Sequence, residues 1–132
     1  MDFRLAAKAF IIKDGKLFMI RRRPNDPHKP GAWDIPGGRL ELGENPFEGL
    51  KRETREEISS DVEILMPIAV NHFVRDDGQR ITLTMFLCNL EGDNIKLSEE
   101  HQEYRWFDII KEIDQIPEFF HGAIINFQKY LK

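Results

Sequence analysis

Three glutamates lie near the middle of the sequence at spacings that would bring them onto one side of a helix. Glu53, Glu56 and Glu57 are three and four residues apart, and side chains at those separations are neighbours on an α-helix. Like charges placed in this way repel each other by roughly 0.3 kcal/mol per pair. The cluster is therefore either a solvated face, with Glu48, Arg52 and Glu56 forming an ordinary ion-pair ladder, or a site for a cation that relieves the repulsion.

The residues that precede the glutamates favour a cation site. Gly37 and Gly38 form a turn in which the backbone can approach a metal or a phosphate closely. Mg²⁺ prefers hard oxygen ligands and is usually held by one or two carboxylates together with water and substrate phosphates. Because Glu44 follows the same turn, the sequence predicts a divalent metal site at the glutamates, with Mg²⁺ as the ion and Mn²⁺ as a substitute.

The element that must position these side chains is a helix that starts next to Asn45. Asn45 can cap the free amides, Pro46 suits the first helical position, and Glu48 can complete a capping box. We expect the helix to run from Pro46 to Ile58 or Ser59. At about 100° per residue, one apolar stripe should face the core, formed by Phe47, Leu50, Thr54 and Ile58.

The stretch from Gly38 to Ser60 resembles the Nudix box. In that pattern a glycine is followed by five residues, Glu, seven residues, Arg-Glu, an apolar residue, any residue, Glu-Glu, any residue, Gly and an apolar residue. All six glycine or charged positions from Gly38 to Glu57 match with no gap. Thr54, Ser59 and Ser60 depart from the pattern, but these departures concern helix packing and termination, and no carboxylate is lost.

On this resemblance the chain is identified as a Nudix hydrolase, and the resemblance implies hydrolysis of a nucleoside diphosphate linked to a group X. Glu53, Glu56 and Glu57, with the backbone near Gly38, would hold Mg²⁺. Arg52 would orient Glu53. Glu44 would support Arg52 from the preceding loop.

The general base has two candidates. Glu53 is one, and the other lies in the acidic stretch Ser98–Phe107, since a carboxylate in such a loop often completes the site in Nudix proteins. Glu100 is our choice within that stretch, with Glu99 and Glu103 as rivals. The base is therefore predicted to be either Glu53 or Glu100.

Substrate contacts are predicted on the resemblance at two further positions. Arg23 ends a basic strand, where Nudix proteins often contact substrate phosphate, and Trp33 precedes the Pro-Gly-Gly turn and could stack on a base. Ordinary structural roles compete with both assignments. Residues 71–73 lie where the family often places base-recognition groups, although ordinary strand residues are the favoured interpretation there.

The substrate prediction depends on two markers that are missing. ADP-ribose hydrolases of the family typically carry a proline where this chain has Asp76, and dinucleoside polyphosphate hydrolases carry a tyrosine slightly further on, whereas the tyrosines here are Tyr104 and Tyr130. This favours MutT-like hydrolysis of a nucleoside triphosphate. An ADP-ribose or nucleotide-sugar pyrophosphatase is the alternative, and a non-catalytic nucleotide-binding module is the alternative from another class.

Composition limits the remaining choices. The 132 residues, 41% hydrophobic and 32% charged, suit one soluble domain spanning 1–132. A net charge of −4 disfavours a broad nucleic-acid groove. Cys88 is the only cysteine and lies in an apolar run, which suits a buried thiol. The sequence lacks both a signal-peptide pattern and a membrane-length apolar segment, so we expect a cytoplasmic protein with a small nucleotide as partner; a homodimer is compatible with the family.

The expected fold is an α/β/α sandwich, with a mixed β-sheet between the box helix and a C-terminal helix. Asp14-Gly15 predicts a hairpin between strands 4–13 and 16–23. Strands are also expected at 62–74, interrupted near Pro67, at 79–90, around Ile35 and Leu40, and before Phe107. A short helical segment is expected at 108–114 and a final helix from Pro117, with a core stripe formed by Phe120, Ile124, Phe127 and Leu131.

Overall fold

The computed structural model describes residues 2–131. Within that range the chain forms seven strands and two α-helices. The strands are β1 (Phe3–Lys13), β2 (Lys16–Arg22), β3 (Trp33–Asp34), β4 (Gly37–Arg39), β5 (Val62–Val74), β6 (Arg80–Leu90) and β7 (His101–Asp108). The helices are α1 (Pro46–Ile58) and α2 (His121–Tyr130), and short 3₁₀ turns lie at Ile113–Gln115 and Glu118–Phe120.

The strands form a mixed sheet in the order β3-β2-β1-β6-β5, with β4 paired to β1 and β7 paired to β2. β1 is the central strand. It runs parallel to β6 and antiparallel to β2 and β4. Because β1 pairs with β4, Lys8 lies opposite Gly37 and Ala7 opposite Gly38. The glycine turn is thereby fixed against the centre of the sheet.

The two helices cover opposite faces of the sheet. One hydrophobic cluster packs α1 against one face through Leu50, Ile58, Ala9, Ile11 and Phe86. The other packs α2 against the opposite face through Phe120, Ile124, Phe10, Leu83 and Met85. The alternation of side chains along β1 and β6 supplies residues to both clusters. The predicted α/β/α sandwich is confirmed.

Most local predictions also hold. The hairpin turns at Asp14-Gly15, where both residues have positive φ, and α1 has the predicted limits. The last helical segment follows Pro117 as a 3₁₀ turn and continues as α2, while its predicted final residue, Lys132, lies outside the described residues. Buried Cys88 agrees with a structural thiol.

Three local predictions are wrong. β5 is continuous through Pro67, because two register shifts against β6, at Ile64/Met66 and Pro67/Ala69, accommodate the ring. The helix predicted at 108–114 is absent: Asp108 ends β7, residues 109–112 form turns, and a 3₁₀ segment starts only at Ile113. Phe47 is 49% exposed instead of buried in the core stripe, although its ring contacts Phe86 at 5.4 Å between centroids.

Candidate active site

Helix α1 begins and ends as its sequence requires. The Asn45 side-chain oxygen accepts hydrogen bonds from the backbone N–H groups of Phe47 (2.8 Å) and Glu48 (3.4 Å). No bond from the Glu48 carboxylate back to Asn45 is present among the residues that the structure describes, so the predicted capping box is not formed. Ser59 closes the helix in the left-handed conformation, with φ 58° and ψ 34°. These caps fix the rotation of α1 and with it the directions of its glutamates.

A bidentate ion pair joins the loop before α1 to the middle of the helix. Arg52 Nε and Nη2 lie 2.9 and 3.0 Å from the two carboxylate oxygens of Glu44. These bonds, together with a backbone N–H from Glu41, lower the pKa of Glu44 to about 2. The same guanidinium lies 3.4 Å from Glu53 and 3.3 Å from Glu56. Arg52 thus connects three of the acidic side chains.

Glu57 is buried against the glycine turn. One carboxylate oxygen accepts the backbone N–H of Gly37 at 2.7 Å, and the residue is only 9% exposed. Burial raises the pKa of Glu57 to about 8, and Glu53 adds to the rise, while Lys8 and the Gly37 N–H oppose it. Gly37 has φ 129°, and a Cβ there would lie 2.3 Å from the Ala7 carbonyl oxygen. Only glycine fits at this position.

Glu53 occupies the adjoining place, next to Gly38. A Cβ added to Gly38 would lie 3.3 to 3.5 Å from the Glu53 carboxylate atoms. Burial raises the pKa of Glu53, Glu56 raises it further, and Arg52 partly offsets the change. Two neighbouring carboxylates are therefore held where their charge is poorly solvated. Glu56, by contrast, is exposed and paired with Arg52.

Sequence reasoning missed a buried ionic network beneath these glutamates. Lys8 Nζ lies 2.9 Å from Asp34 Oδ2 and donates to the Ile35 carbonyl at 3.3 Å. Arg22 contacts the same carboxylate at 3.5 Å and Asp26 at 3.2 Å. Burial alone would raise the pKa of Asp34, but the charges of Lys8 and Arg22 hold it below its ordinary value. The available signal was a lysine inside the apolar run of β1, since a buried lysine requires a partner.

The acidic loop reaches the same end of the molecule. The Ser98 N–H donates to the Glu57 carbonyl at 2.9 Å, and the Arg23 N–H donates to the Glu100 carbonyl at 3.2 Å. The Arg23 guanidinium also bonds the Glu99 carbonyl. Glu100 itself is exposed. The loop with the candidate base is therefore attached to both the end of α1 and the end of β2.

The comparison with known proteins agrees with this arrangement. The sequence profile of the NUDIX domain matches residues 2–122. The chain belongs to the Nudix family. The predicted hydrolase class is thereby confirmed at the level of the family.

Individual relatives support the same assignment. The Nudix chain matches the structure of a MutT protein from Methanosarcina mazei with TM-score 0.84 and 25% identity, covering 98% of this chain and 96% of that one. It is 33% identical over 100 residues to a MutT-like protein of Streptomyces ambofaciens, covering 76% of this chain and 60% of the relative. It is 29% identical over 125 residues to an ADP-ribose pyrophosphatase of Methanocaldococcus jannaschii, covering 92% and 70%. The chain thus spans less than two thirds of the Streptomyces relative.

The predicted residues of the Nudix box contact one another, while the predicted substrate contacts, Arg23 and Trp33, have partners outside the box. Trp33 is half-buried, packs edge-on against Phe107 at 5.0 Å between centroids, and lies 5.8 Å from the Arg21 guanidinium. It is therefore a rim aromatic that also belongs to the core. Of the rivals to Glu100, Glu103 is paired with Arg21 at 3.1 Å. No helix within residues 2–131 is long and apolar enough to cross a membrane.

The donor groups of the site suit a hard divalent cation. In residues 2–131 no three His, Cys, Asp or Glu side chains converge as a complete ligand set. A Mg²⁺ ion held by one or two carboxylates plus water and phosphate does not need such a set. Glu53 and Glu57, both with raised pKa and both beside Gly37 and Gly38, are two carboxylates that could hold such an ion, and Glu56 adjoins them on the helix.

Proposed function

We propose that the protein is a Mg²⁺-dependent Nudix pyrophosphohydrolase that cleaves nucleoside triphosphates to a nucleoside monophosphate and pyrophosphate. The observation that supports the proposal most directly is a pair of poorly solvated carboxylates, Glu53 and Glu57, that lie against Gly37 and Gly38. Arg52, which forms an ion pair with Glu44, also contacts Glu53. Carboxylates of this kind can hold a divalent cation, and that cation can neutralise the negative charge of the substrate phosphates.

Each residue then has a distinct part. Glu53, Glu56 and Glu57, with the backbone at Gly38, would hold the ion, which when bound neutralises phosphate charge and makes a coordinated water more acidic. Arg52 fixes the Glu53 side chain, and Glu44 fixes Arg52.

The proton of the attacking water would pass to Glu53 or to Glu100. The Glu53 carboxylate is held next to the glycine turn, while Glu100 lies on the loop attached to the end of α1. The exposed cation Arg23, which follows β2 and bonds to the Glu99 and Glu100 carbonyls of that loop, is the proposed phosphate contact. Trp33 is proposed as a base-stacking residue at the rim.

A triphosphate is favoured as substrate over a nucleotide sugar for two reasons. Asp76 and the positions of the tyrosines lack the markers of the other branches, and both the Methanosarcina structure and the Streptomyces relative are named MutT or MutT-like. The Methanocaldococcus relative, an ADP-ribose pyrophosphatase aligned over 92% of this chain, makes ADP-ribose or nucleotide-sugar hydrolysis the second candidate. A non-catalytic nucleotide-binding module is disfavoured because all box glutamates are retained.

The test is hydrolysis of a substrate panel in ¹⁸O-labelled water, with Mg²⁺ or with chelator. The panel holds nucleoside triphosphates, dinucleoside polyphosphates, ADP-ribose and sugar nucleotides, and mass spectrometry identifies the products. Pyrophosphate and a monophosphate from a triphosphate, with the label in one of the two, would support the proposal and identify the phosphorus attacked. AMP and a sugar phosphate would support the second candidate. Nucleotide-induced thermal stabilisation without products would indicate the binding module.

We expect Glu57→Gln to reduce Mg²⁺-dependent kcat by about 10³-fold or more while the protein stays folded, because the amide keeps the Gly37 hydrogen bond but cannot supply an anionic oxygen. Glu48→Gln is the matched control, since Glu48 is an exposed glutamate on the same helix with no contact to the site. Near-normal turnover by Glu57→Gln would refute the assignment of Glu57 as a metal ligand.

A further inference from the structure

Three buried side-chain atoms within residues 2–131 have no hydrogen-bond partner in the protein. They are Arg22 Nε, Ser98 Oγ and His101 Nδ1. Leaving a buried polar group unpaired costs about 1–3 kcal/mol, and such groups are ordinarily satisfied by protein or by internal water. Because all three atoms belong to one region, a single bound molecule could satisfy them together.

The three residues adjoin one another. Arg22 and His101 are directly opposed in the β2–β7 pairing, at the register shift that follows Arg21. The His101 N–H donates to the Ser98 carbonyl at 3.2 Å. Their hydrogen-bonding capacities are complementary, because Arg22 Nε can only donate, whereas the Ser98 hydroxyl and His101 Nδ1 can donate or accept. One water can accept from the arginine and donate to the other two.

Two of these residues flank Glu100 in the sequence, since Ser98 lies in the same loop and His101 begins β7, while Arg22 ends the neighbouring strand β2. His101 is 2% exposed, whereas its neighbour Glu100 is exposed. Backbone bonds hold the loop at Ser98, which donates to the Glu57 carbonyl, and at Glu100, which accepts from Arg23. His101 is the buried first residue of β7 and directly follows Glu100. A fixed His101 therefore limits the directions in which Glu100 can project.

We propose that an internal water molecule binds between Arg22, Ser98 and His101, and that His101 is through it a positioning residue for Glu100. The water connects the loop to the buried Lys8–Asp34–Arg22 network under the Nudix glutamates. The catalytic consequence rests on the proposed function, in which Glu100 is a candidate base. The structural consequence, a fixed loop, does not depend on it.

The structural part is tested by a high-resolution crystal structure and by hydrogen exchange. An ordered water within hydrogen-bond distance of all three atoms is expected, and its absence from well-defined density would overturn the water site. In His101→Leu the amides of residues 99–102 should exchange at least about 10-fold faster, with α1 unchanged, because loop opening no longer breaks the water bridge. His101→Gln should restore most of the protection. His72→Leu, an exposed histidine on β5, is the control, and equal exchange in His101→Leu and wild type would refute the positioning role.

The catalytic part is tested by a double-mutant cycle. His101→Leu should lower kcat about 10-fold with KM nearly unchanged, because a small displacement of the base costs rate and not binding. In the Glu100→Gln background the same change should lower kcat by less than 2-fold. If His101→Leu lowered kcat as much in the Glu100→Gln background as in wild type, the proposed link between His101 and Glu100 would be overturned. If Glu100→Gln is fully active, the base assignment fails, yet faster exchange in His101→Leu still supports the positioning of the loop. If His101→Leu does not fold, the same measurements of hydrogen exchange and kcat are made on Ser98→Ala, which removes only the hydroxyl that would bind the water.

Discussion

At the scale of single residues, the site depends on charges that the protein keeps out of water. Lys8 and Asp34 are 9% and 5% exposed. Two buried charges are tolerable when each is paired and its remaining hydrogen-bonding capacity is used. Asp34 meets this condition because its carboxylate contacts Lys8 and Arg22. In addition, the backbone N–H of the next residue, Ile35, donates to Asp34 Oδ1 at 2.8 Å. This network fixes the strand that leads into the glycine turn.

Lys8→Met should therefore lower the free energy of unfolding by about 3 kcal/mol, because Asp34 loses its closest cation and stays buried. Equilibrium urea unfolding at neutral pH measures the change. Adding Asp34→Asn to Lys8→Met should recover part of the loss, since the amide carries no charge to compensate. A loss below about 1 kcal/mol for Lys8→Met would mean that Arg22 alone neutralises Asp34.

Sequence reasoning at this scale predicted the box glutamates and their support by Arg52 and Glu44, but not the buried ion pairs beneath them. Arg52 and Glu44 were predicted to pair, and their eight-residue separation lies within one loop and helix. Lys8 and Asp34 are 26 residues apart and meet only because β1 pairs with the strand after Asp34. No local pattern encodes such a contact. The unpaired atoms of Arg22 and His101, two paired residues that are 79 positions apart in the sequence, are likewise visible only in the fold.

At the scale of elements, α1 shows how closely local chemistry fixes a boundary. Asn45 and Pro46 place the start correctly, and the helix ends at Ile58 as predicted. Ser59 then adopts φ 58°, the conformation for which the Nudix pattern uses glycine. Having serine instead of glycine at position 59 thus leaves the geometry of the helix cap unchanged and raises the free energy that the cap costs.

Ser59→Gly should stabilise the protein by about 0.5–1 kcal/mol, because glycine adopts the left-handed conformation without the Cβ penalty. The melting temperature and urea midpoint should both rise. Ser60→Gly is the adjacent control: Ser60 has no positive φ and donates to the Asp61 carbonyl, so glycine there should destabilise. A neutral or destabilising result for Ser59→Gly would mean that the serine cap is not strained.

The strands show where propensity alone misleads. Pro67 predicted a break in β5, yet the strand lies at the edge of the sheet, and two register shifts absorb the proline. Phe47 fits the apolar period of α1 but lies in its first turn, where its ring contacts Phe86 of β6 and still stays 49% exposed. Periodicity gives the direction of a side chain, and the extent of the opposing surface decides whether it is buried.

At the scale of the whole molecule, four separated segments contribute to the candidate site. β1 carries Lys8, β4 begins with Gly37 and Gly38, α1 carries the glutamates, and the loop before β7 carries Glu100, the second proposed base. β1 connects the first two because it pairs with β4. This assembly leaves Glu57 buried with a raised pKa and His101 buried with its pKa lowered to about 4, chiefly by burial.

These two groups predict an unusual pH dependence of stability for the metal-free protein. The pKa of Glu57 is raised in the folded state, so the folded protein binds more protons than the unfolded chain between about pH 4.5 and 8, and stability falls as pH rises through that window. The pKa of His101 is depressed, so its contribution to stability is lost as pH falls from about 6.5 to 4. The two slopes oppose each other between about pH 4.5 and 6.5. Above pH 6.5 the opposing His101 slope has ended and the Glu57 slope remains, and the raised pKa of Glu53 acts in the same direction as Glu57. Asp26 and Glu44, with pKa values lowered to about 2, act only in acid.

The free energy of unfolding in chelator should consequently fall by up to about 2 kcal/mol between pH 6.5 and 8, where most proteins show little change. Urea unfolding at half-unit pH steps measures it. Glu57→Gln should abolish this decline and be more stable than wild type at pH 8, whereas Glu48→Gln should retain it. Mg²⁺ should remove the decline both in wild type and in Glu48→Gln, since an ion bound to the folded state stabilises the Glu57 carboxylate anion. A flat profile for metal-free wild type would show that Glu57 is ionised at neutral pH, and that the glycine turn and Lys8 alone compensate its burial.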